Sequence, residues 1–360
     1  MAVAWIGDRD VPVAQAAKHA AGLLVSSLSP VFSFDTDVHG TRAAIALAER
    51  VGAAYDHIGG ESLARETALF TDKGGMFIAP GETRRRADVV VIAGSLPAHH
   101  HEFVAELAST APDLGGGASR QFFLIGAETK APYLSKVKPT RLAVAGAGID
   151  ATLAALRAQC AGRGVAKPVS NFERFAKALA EAKFPVFLFC GQSLDLPVLE
   201  MLQGLIVDIN RKSRASALHL PASESGWGST LASTWMTGFP MRTGFARGMP
   251  ELDPWRFDVA RMLAAGEADL HLWTSAKDRV PSIIKGVSLI ALTKGKKPAA
   301  GAAVTISIGE PGVDHDAVAW SSRIGTLAAV KAQAATDLPD AASVLRLIAE
   351  HLPDGKALPC

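Results

Sequence analysis

The sequence predicts an α/β protein built on open parallel sheets, and three observations carry that expectation. Short runs rich in Val, Ile, Leu and Phe, such as Ala87 to Gly94, lack polar alternation and read as strands buried on both faces. Between them lie Ala- and Leu-rich stretches whose apolar residues recur at helical spacing. The alternation stops at a loop carrying Gly162, Gly164 and Pro168 and then restarts, so two such units are expected.

In chain order, Val13 to Ser26 is a helix, Pro30 to Phe34 a short strand, and Thr41 to Val51 a helix ending near Gly52. Ala87 to Gly94, Gln121 to Gly126 and Arg141 to Ala145 are strands, with helices over Glu102 to Ala108 and Ile149 to Cys160. The second unit opens with an amphipathic helix, Asn171 to Ala182, and the strand Phe184 to Cys190. A helix over Leu196 to Arg211 and a short strand, Ala217 to Leu220, follow. Ser223 to Trp255, rich in Gly and aromatic residues, is expected to be a long functional or interfacial loop. Asp269 to Trp273, Val287 to Ala291 and Ala303 to Ile308 complete the strands, and Lys294 to Pro298 is a solvated basic turn. No fixed-period repeat or heptad run interrupts this order.

Composition narrows the function classes. The 360 residues are 49% hydrophobic, enough to bury a core. Thirty-seven Lys and Arg against thirty-five Asp and Glu give a net charge of +2, too balanced for an electrostatic footprint on nucleic acid or a membrane. Cys160, Cys190 and Cys360 are far apart, without a C-x-x-C, which excludes a disulfide framework, a cysteine-rich zinc site and a four-cysteine iron–sulfur cluster. The N-terminus has no basic region followed by an apolar core, and no apolar run reaches the length of a spanning helix, so a cytoplasmic protein is expected.

No local motif establishes catalysis. Gly146-Ala-Gly148-Ile-Asp-Ala151 fits a dinucleotide fingerprint, but no second strand ending in an acidic residue follows at the required distance. It reads better as a tight strand-to-helix turn than as a nicotinamide site. His99, His100 and His101 follow a strand at the sheet edge where open α/β folds bind ligands, yet adjacent residues do not converge on one ion without a sharply folded loop. Asp314-His315-Asp316 and the run Ser33 to His39, with Asp35 and Asp37, hold acids beside imidazoles but have no activated nucleophile.

Four ordered segments resemble a known family. Ala43 to Tyr55, Glu82 to His100, Trp235 to Pro250 and Gly312 to Lys331 are similar to segments of the B subunit of formylmethanofuran dehydrogenase, in the molybdopterin oxidoreductase superfamily. They are closer still to its shortened relative in the formyltransferase/hydrolase complex of methylotrophic bacteria. The resemblance implies two Rossmann-like open parallel-sheet domains, the core domains of molybdopterin oxidoreductases without the iron–sulfur domain. On that framework residues 1–138 with 309–360 form a discontinuous first domain, and residues 139–308 form the second.

The departures from the family carry the functional expectation. Active relatives begin with a cysteine-rich cluster segment, whereas this chain has no cysteine before Cys160. The metal-binding cysteine should follow Tyr55-Asp56, where the chain reads His57-Ile-Gly-Gly-Glu61-Ser62. Molybdenum and tungsten sites select soft sulfur, and none is there. The pterin-contacting asparagine is Leu96, and an apolar residue leaves the nucleotide's polar groups unpaired. Arg247 matches an active-site arginine of the relatives, and an arginine also serves to hold a loop or interface.

The resemblance therefore implies a chain with no cofactor, no metal and no catalytic residue of its own. Glu61, Ser62, His99, His100 and Arg247 would line a vestigial cleft. Its partners would be an amidohydrolase-like A subunit, a C subunit and a formyltransferase D subunit. That complex passes a formyl group from formyl-tetrahydromethanopterin to a furan-type carrier and releases formate, in the one-carbon metabolism of formaldehyde oxidation. The stretch from Trp227 to Trp255 would be a contact surface. The alternative is a molybdopterin-type oxidoreductase that retains a molybdopterin or another redox cofactor in the inherited cleft, lined by Arg247, Glu61 and the His99 to His101 loop.

Overall fold

The computed structural model describes residues 3–114, 119–127, 131–277 and 279–354. The chain divides into two compact units, one of residues 1–64, 223–320 and 327–360, the other of residues 65–222 and 321–326. These boundaries differ from the expected division at 138/139 and 308/309. The cause is strand pairing: Val89–Ala93 pairs with Pro185–Phe189, which puts both sides of the expected boundary into one sheet.

The first unit is built on a nine-stranded sheet. Across it run Glu251–Leu252, Thr243–Gly244, Ala54–His57, Pro30–Asp35, Leu270–Ser275, Ser288–Thr293, Val304–Ser307, Ala4–Ile6 and Arg9–Val11. The middle five strands are parallel, and the outer pairs on both edges are antiparallel. The expectation of an open parallel sheet therefore holds for the centre of this sheet and not for its edges. The antiparallel pairs come from segments without a β-branched run, which hydrophobic periodicity does not detect.

The second unit has the expected pattern throughout. Its five strands, Thr140–Leu142, Gln121–Ile125, Val89–Ala93, Pro185–Phe189 and Ser216–His219, are parallel in that order. Val89, Val91, Phe187 and Phe189 pack on one face under the helices Ile149–Cys160, Phe172–Glu181 and Leu196–Asn210. Val90, Ile92, Val186 and Leu188 pack on the other, with Phe103 and Leu107 of the helix His101–Ser109. Burial on both faces is why the central strands Val89–Ala93 and Pro185–Phe189 are continuously apolar.

The long loop expected from Ser223 to Trp255 is instead mostly ordered. Glu224–Thr237 is a helix, capped when the Ser223 side chain accepts from the Gly226 amide, and it ends at Gly238 in a left-handed conformation. Its buried residues are small: Gly226, Gly228, Ser229, Thr230, Ala232 and Ser233. That composition lets it pack closely on the helix Val38–Val51, where the Thr41 and Ser229 hydroxyls are 2.8 Å apart. A helix buried through small polar residues has no apolar stripe, so periodicity cannot reveal it. Among the described residues no helix is long and apolar enough to cross a membrane.

Candidate functional site

In the first unit, consecutive strands leave Pro30–Asp35 toward one side of the sheet and Leu270–Ser275 toward the other. Open α/β sheets bind ligands beside the carboxyl ends of strands at such a reversal. Asp35, the last residue of its strand, lies there with its side chain fully buried. Asp35 Oδ1 accepts from Ser225 Oγ at 2.7 Å and from Lys277 Nζ at 2.8 Å, and His57 Nε2 lies 3.5 Å away. Burial alone raises such an acid, but His57 and Lys277 outweigh it and hold the Asp35 carboxyl well below the usual carboxylate range. A cavity of about 160 Å³ opens beside it, walled by Val38, Ala317, Ala319 and Trp320.

The neighbouring strand ends in Asp56-His57 and feeds the helix Gly60–Asp72 through Gly59. Arg242 gathers three carboxylates: Asp56 at 3.1 Å, Glu61 at 2.9 Å and Asp258 at 3.0 Å. Its backbone has a φ of 64°, rare for a residue with a side chain. That strain aims the guanidinium inward at the three acids. Gly60 belongs to the same construction, since a Cβ there would stand 2.3 Å from Asp56 Oδ1. Burial pushes the Asp56 carboxyl up to about 7 against the pull of Arg242. A cavity of about 530 Å³ adjoins this cluster and reaches His271 and Trp273 on the sheet.

The second unit has its own buried acid. Glu66 Oε1 accepts from the amides of Gly191 at 2.7 Å and Ala222 at 3.3 Å, and Oε2 lies 3.3 Å from His219 Nε2. His219 packs against the rings of Phe70 and Phe189. Cys190 lies beside the carboxylate, and burial, with Glu66, pushes its thiol up to about 12. Burial likewise raises Cys160 to about 11. Neither is a reactive thiolate at neutral pH. Cys360 lies outside the described residues.

Of the residues singled out in the sequence, Glu61 is held by Arg242, and Ser62 follows it on the same helix. His99 and His100 belong to the second unit, on a 3₁₀ turn from Ala98 to His100, where both Nε2 atoms face the Pro221 carbonyl at 3.3 and 2.8 Å. His101 Nε2 instead meets the Leu96 carbonyl at 3.0 Å. Burial pushes His100 down to about 4, which leaves it neutral. Arg247 is exposed and pairs with Glu251 four residues on. Leu96 is buried in the core with Ile92 and Phe103. Gly146 and Gly148 form a tight turn into the helix Ile149–Cys160, and the next strand is Pro185–Phe189. Asp314 is a turn residue that accepts from the Glu310 amide, and Asp316, just before the strand Ala317–Ser321, accepts from Lys331.

Arg242, Asp258, Lys277, Ser225 and His271 are not marked out by the sequence. Asp35 and His57 stand there only within longer runs, and their position as last residues of parallel strands is the signal that distinguishes them.

No family model matches the chain. It is 34% identical over 360 residues to the B subunit of the formyltransferase/hydrolase complex Fhc of Methylorubrum extorquens, covering 97% of this chain and 98% of that protein. It is 23% identical to the B subunit of the tungsten-containing formylmethanofuran dehydrogenase 2 of Methanococcus maripaludis, over 71% of this chain and 62% of that one. The corresponding subunit of Methanocaldococcus jannaschii is also 23% identical, over 66% and 57%. Among solved structures, a chain of the Methylorubrum extorquens complex FhcABCD, crystallised with methylofuran, superposes with a TM-score of 0.87 at 33% identity. That superposition covers 96% of this chain and 98% of the other.

Proposed function

The chain belongs to the family of B subunits of the formyltransferase/hydrolase complex, and on that premise we propose that it is the cofactor-less structural subunit of such a complex. Its two units are then the two Rossmann-like core domains of a molybdopterin oxidoreductase, kept as a scaffold. Hydrolysis belongs to an amidohydrolase-like A subunit and formyl transfer to a D subunit, with a C subunit completing the complex. Together they convert formyl-tetrahydromethanopterin to formate through a furan-type carrier.

The observation that carries this reading is the donor chemistry where the family's metal ligand would stand. After Tyr55 the chain offers His57, directed at Asp35, and Glu61, engaged by Arg242. The described cysteines, Cys160 and Cys190, belong to the other unit, and their thiols are pushed up, so neither is a soft thiolate at neutral pH. Among the described residues no group of three or more His, Cys, Asp or Glu is arranged to hold a metal ion. These residues do not fit a pterin-held molybdenum or tungsten that takes a sulfur side chain. A scaffold needs contact surface, and Trp235, Met249 and Trp255 are exposed in the Trp227 to Trp255 stretch, as interface anchors are.

The test is purification of the tagged full-length chain from its own host, with partners identified by mass spectrometry and metals by elemental analysis. Co-purification with the A, C and D types of partner, with molybdenum and tungsten far below one per chain, is the expected result. A solitary monomer, or either metal near one equivalent per chain, overturns the reading.

A further inference from the structure

The strand Leu270–Ser275 lies in the middle of the parallel sheet of the first unit, where an apolar residue on either face meets no penalty. It carries His271 instead. The residue is 4% exposed, and among the described residues neither of its ring nitrogens has a hydrogen-bond partner. A neutral imidazole always presents one N–H and one lone pair. Each left unmatched in an interior costs roughly 1–3 kcal/mol. Burial pushes this ring down to about 4, with no charged neighbour opposing it, so it is neutral at physiological pH. The sequence thus keeps two unsatisfied polar atoms in the sheet without a structural return.

What lies in front of the ring gives them a use. His271 borders the cavity of about 530 Å³, and in the parallel register Trp273, Ser33 and Asp56, which also line it, stand abreast one level nearer the carboxyl ends of the strands. Ile58, Leu263 and Ile284 make its apolar walls. Asp56, Glu61 and Asp258 supply three carboxylates, and Arg242 is the one Lys or Arg among its described lining residues. A carboxylate can accept about four hydrogen bonds, so one guanidinium does not exhaust three of them. Even with the Asp56 carboxyl protonated, Glu61 and Asp258 outnumber Arg242, so the lining keeps an acidic excess, and an anionic ligand would add to it. Because no described donor set suits a metal ion, the cation that answers this excess is organic.

We propose that this cavity is a binding site for a small organic ammonium with a flat, partly polar body. The ammonium group donates to the carboxylates beside Arg242, the body lies against Trp273 and the apolar wall, and a polar atom of the body pairs with His271. The site does not depend on the scaffold reading. Loss of ammonium binding leaves assembly with partners untouched, and the reverse also holds.

Three isosteric probes separate the charge from the shape: 4-(aminomethyl)benzamide, its hydroxymethyl counterpart and its carboxylate counterpart. Each is titrated by calorimetry into the full-length chain at neutral pH and matched ionic strength, with ring-¹⁵N histidine NMR as the second readout. The amine is expected to bind saturably in the millimolar range or better, about tenfold tighter than the alcohol. The carboxylate is expected not to bind. Saturation should move the His271 ring resonances.

Asp258→Asn keeps the N-cap of the helix Val259–Ala264, because Asn caps as well as Asp, and should weaken the amine severalfold. Glu61→Gln, at an exposed position, should act in the same direction. His271→Leu removes two unpartnered atoms, so its melting temperature should match or exceed that of the unaltered chain while its amine affinity falls. Equal binding of amine and alcohol, tighter binding of the carboxylate, no saturable binding, or affinity unchanged in both Asp258→Asn and His271→Leu overturns the proposal.

Discussion

The two units each bury acids near the carboxyl ends of a parallel sheet, and they satisfy them in different ways. In the second unit Glu66 is met by the backbone amides of Gly191 and Ala222, and its neighbour His219 is packed between phenylalanine rings. Gly191 belongs to that packing, since a Cβ there would lie 2.4 Å from Glu66 Cγ. In the first unit Asp35 and Asp56 are met by the long cationic side chains of Lys277 and Arg242, and each borders a cavity. Backbone amides cannot leave, whereas a lysine or arginine head can be drawn off by a ligand. The difference separates an acid held by the main chain from acids held by side chains, and it can be broken experimentally.

The largest expected effect is at Arg242. Arg242→Met strands the buried Asp56 carboxylate and removes the common partner of Glu61 and Asp258, which should cost about 3 kcal/mol in urea unfolding above neutral pH. Glu66→Gln keeps an oxygen for the Gly191 and Ala222 amides and should cost only about 1 kcal/mol. If the glutamine variant proves the more damaging, charge matters more in the second unit than in the first, and the comparison reverses.

How much of this was legible beforehand follows the same physics. The three central strands of the second unit announce themselves because both faces are apolar, and the helices Val13–Ser26 and Ile149–Cys160 begin and end where their periodicity does. The strand Ala54–His57 does not announce itself, because half of its residues are Asp and His. Its burial comes from pairing with Pro30–Asp35 and Thr243–Gly244, remote in sequence. Glu61 could be named from its place after Tyr55, but its partner could not. Nothing in Pro240-Met-Arg242-Thr marks an arginine that adopts a glycine-like φ to reach three acids. Sites assembled from loop residues and strand ends far apart in the chain leave no local pattern.

Next in size is a change in pH dependence. Asp56 is raised from its ordinary value to about 7, so between about pH 4 and 7 the folded chain holds a proton there that the unfolded chain has lost. Its contribution therefore falls as pH rises through that window, by at most ~1.4 kcal/mol per pH unit, and is flat above it. His100 and His271, both pushed down to about 4, act the opposite way: stability is lost as pH falls from about 6.5 to 4. Asp56→Asn deletes the opposing contribution, so unfolding free energy should climb more steeply between pH 4 and 7 than in the unaltered chain. Parallel profiles would mean that Arg242 keeps Asp56 ionised throughout, making the first unit as fixed as the second.

The smallest effect sharpens the contrast within one loop. Arg242 and Arg247 are close neighbours in the chain, yet one is buried among three acids and the other is 69% exposed beside Glu251. A pair four residues apart whose arginine faces solvent contributes little, because water already solvates the guanidinium and holding two long side chains together costs entropy. Arg247→Ala should change unfolding free energy by less than about 0.5 kcal/mol, where Arg242→Met changes it severalfold more. The same variant, carried into co-purification with partner subunits, separates the two roles left to a solvent-facing arginine two residues before the exposed Met249. Weakened capture with an unchanged melting temperature places Arg247 in an interface. Unchanged capture leaves it a surface charge, and the strained, buried Arg242 becomes the arginine around which this part of the unit is organised.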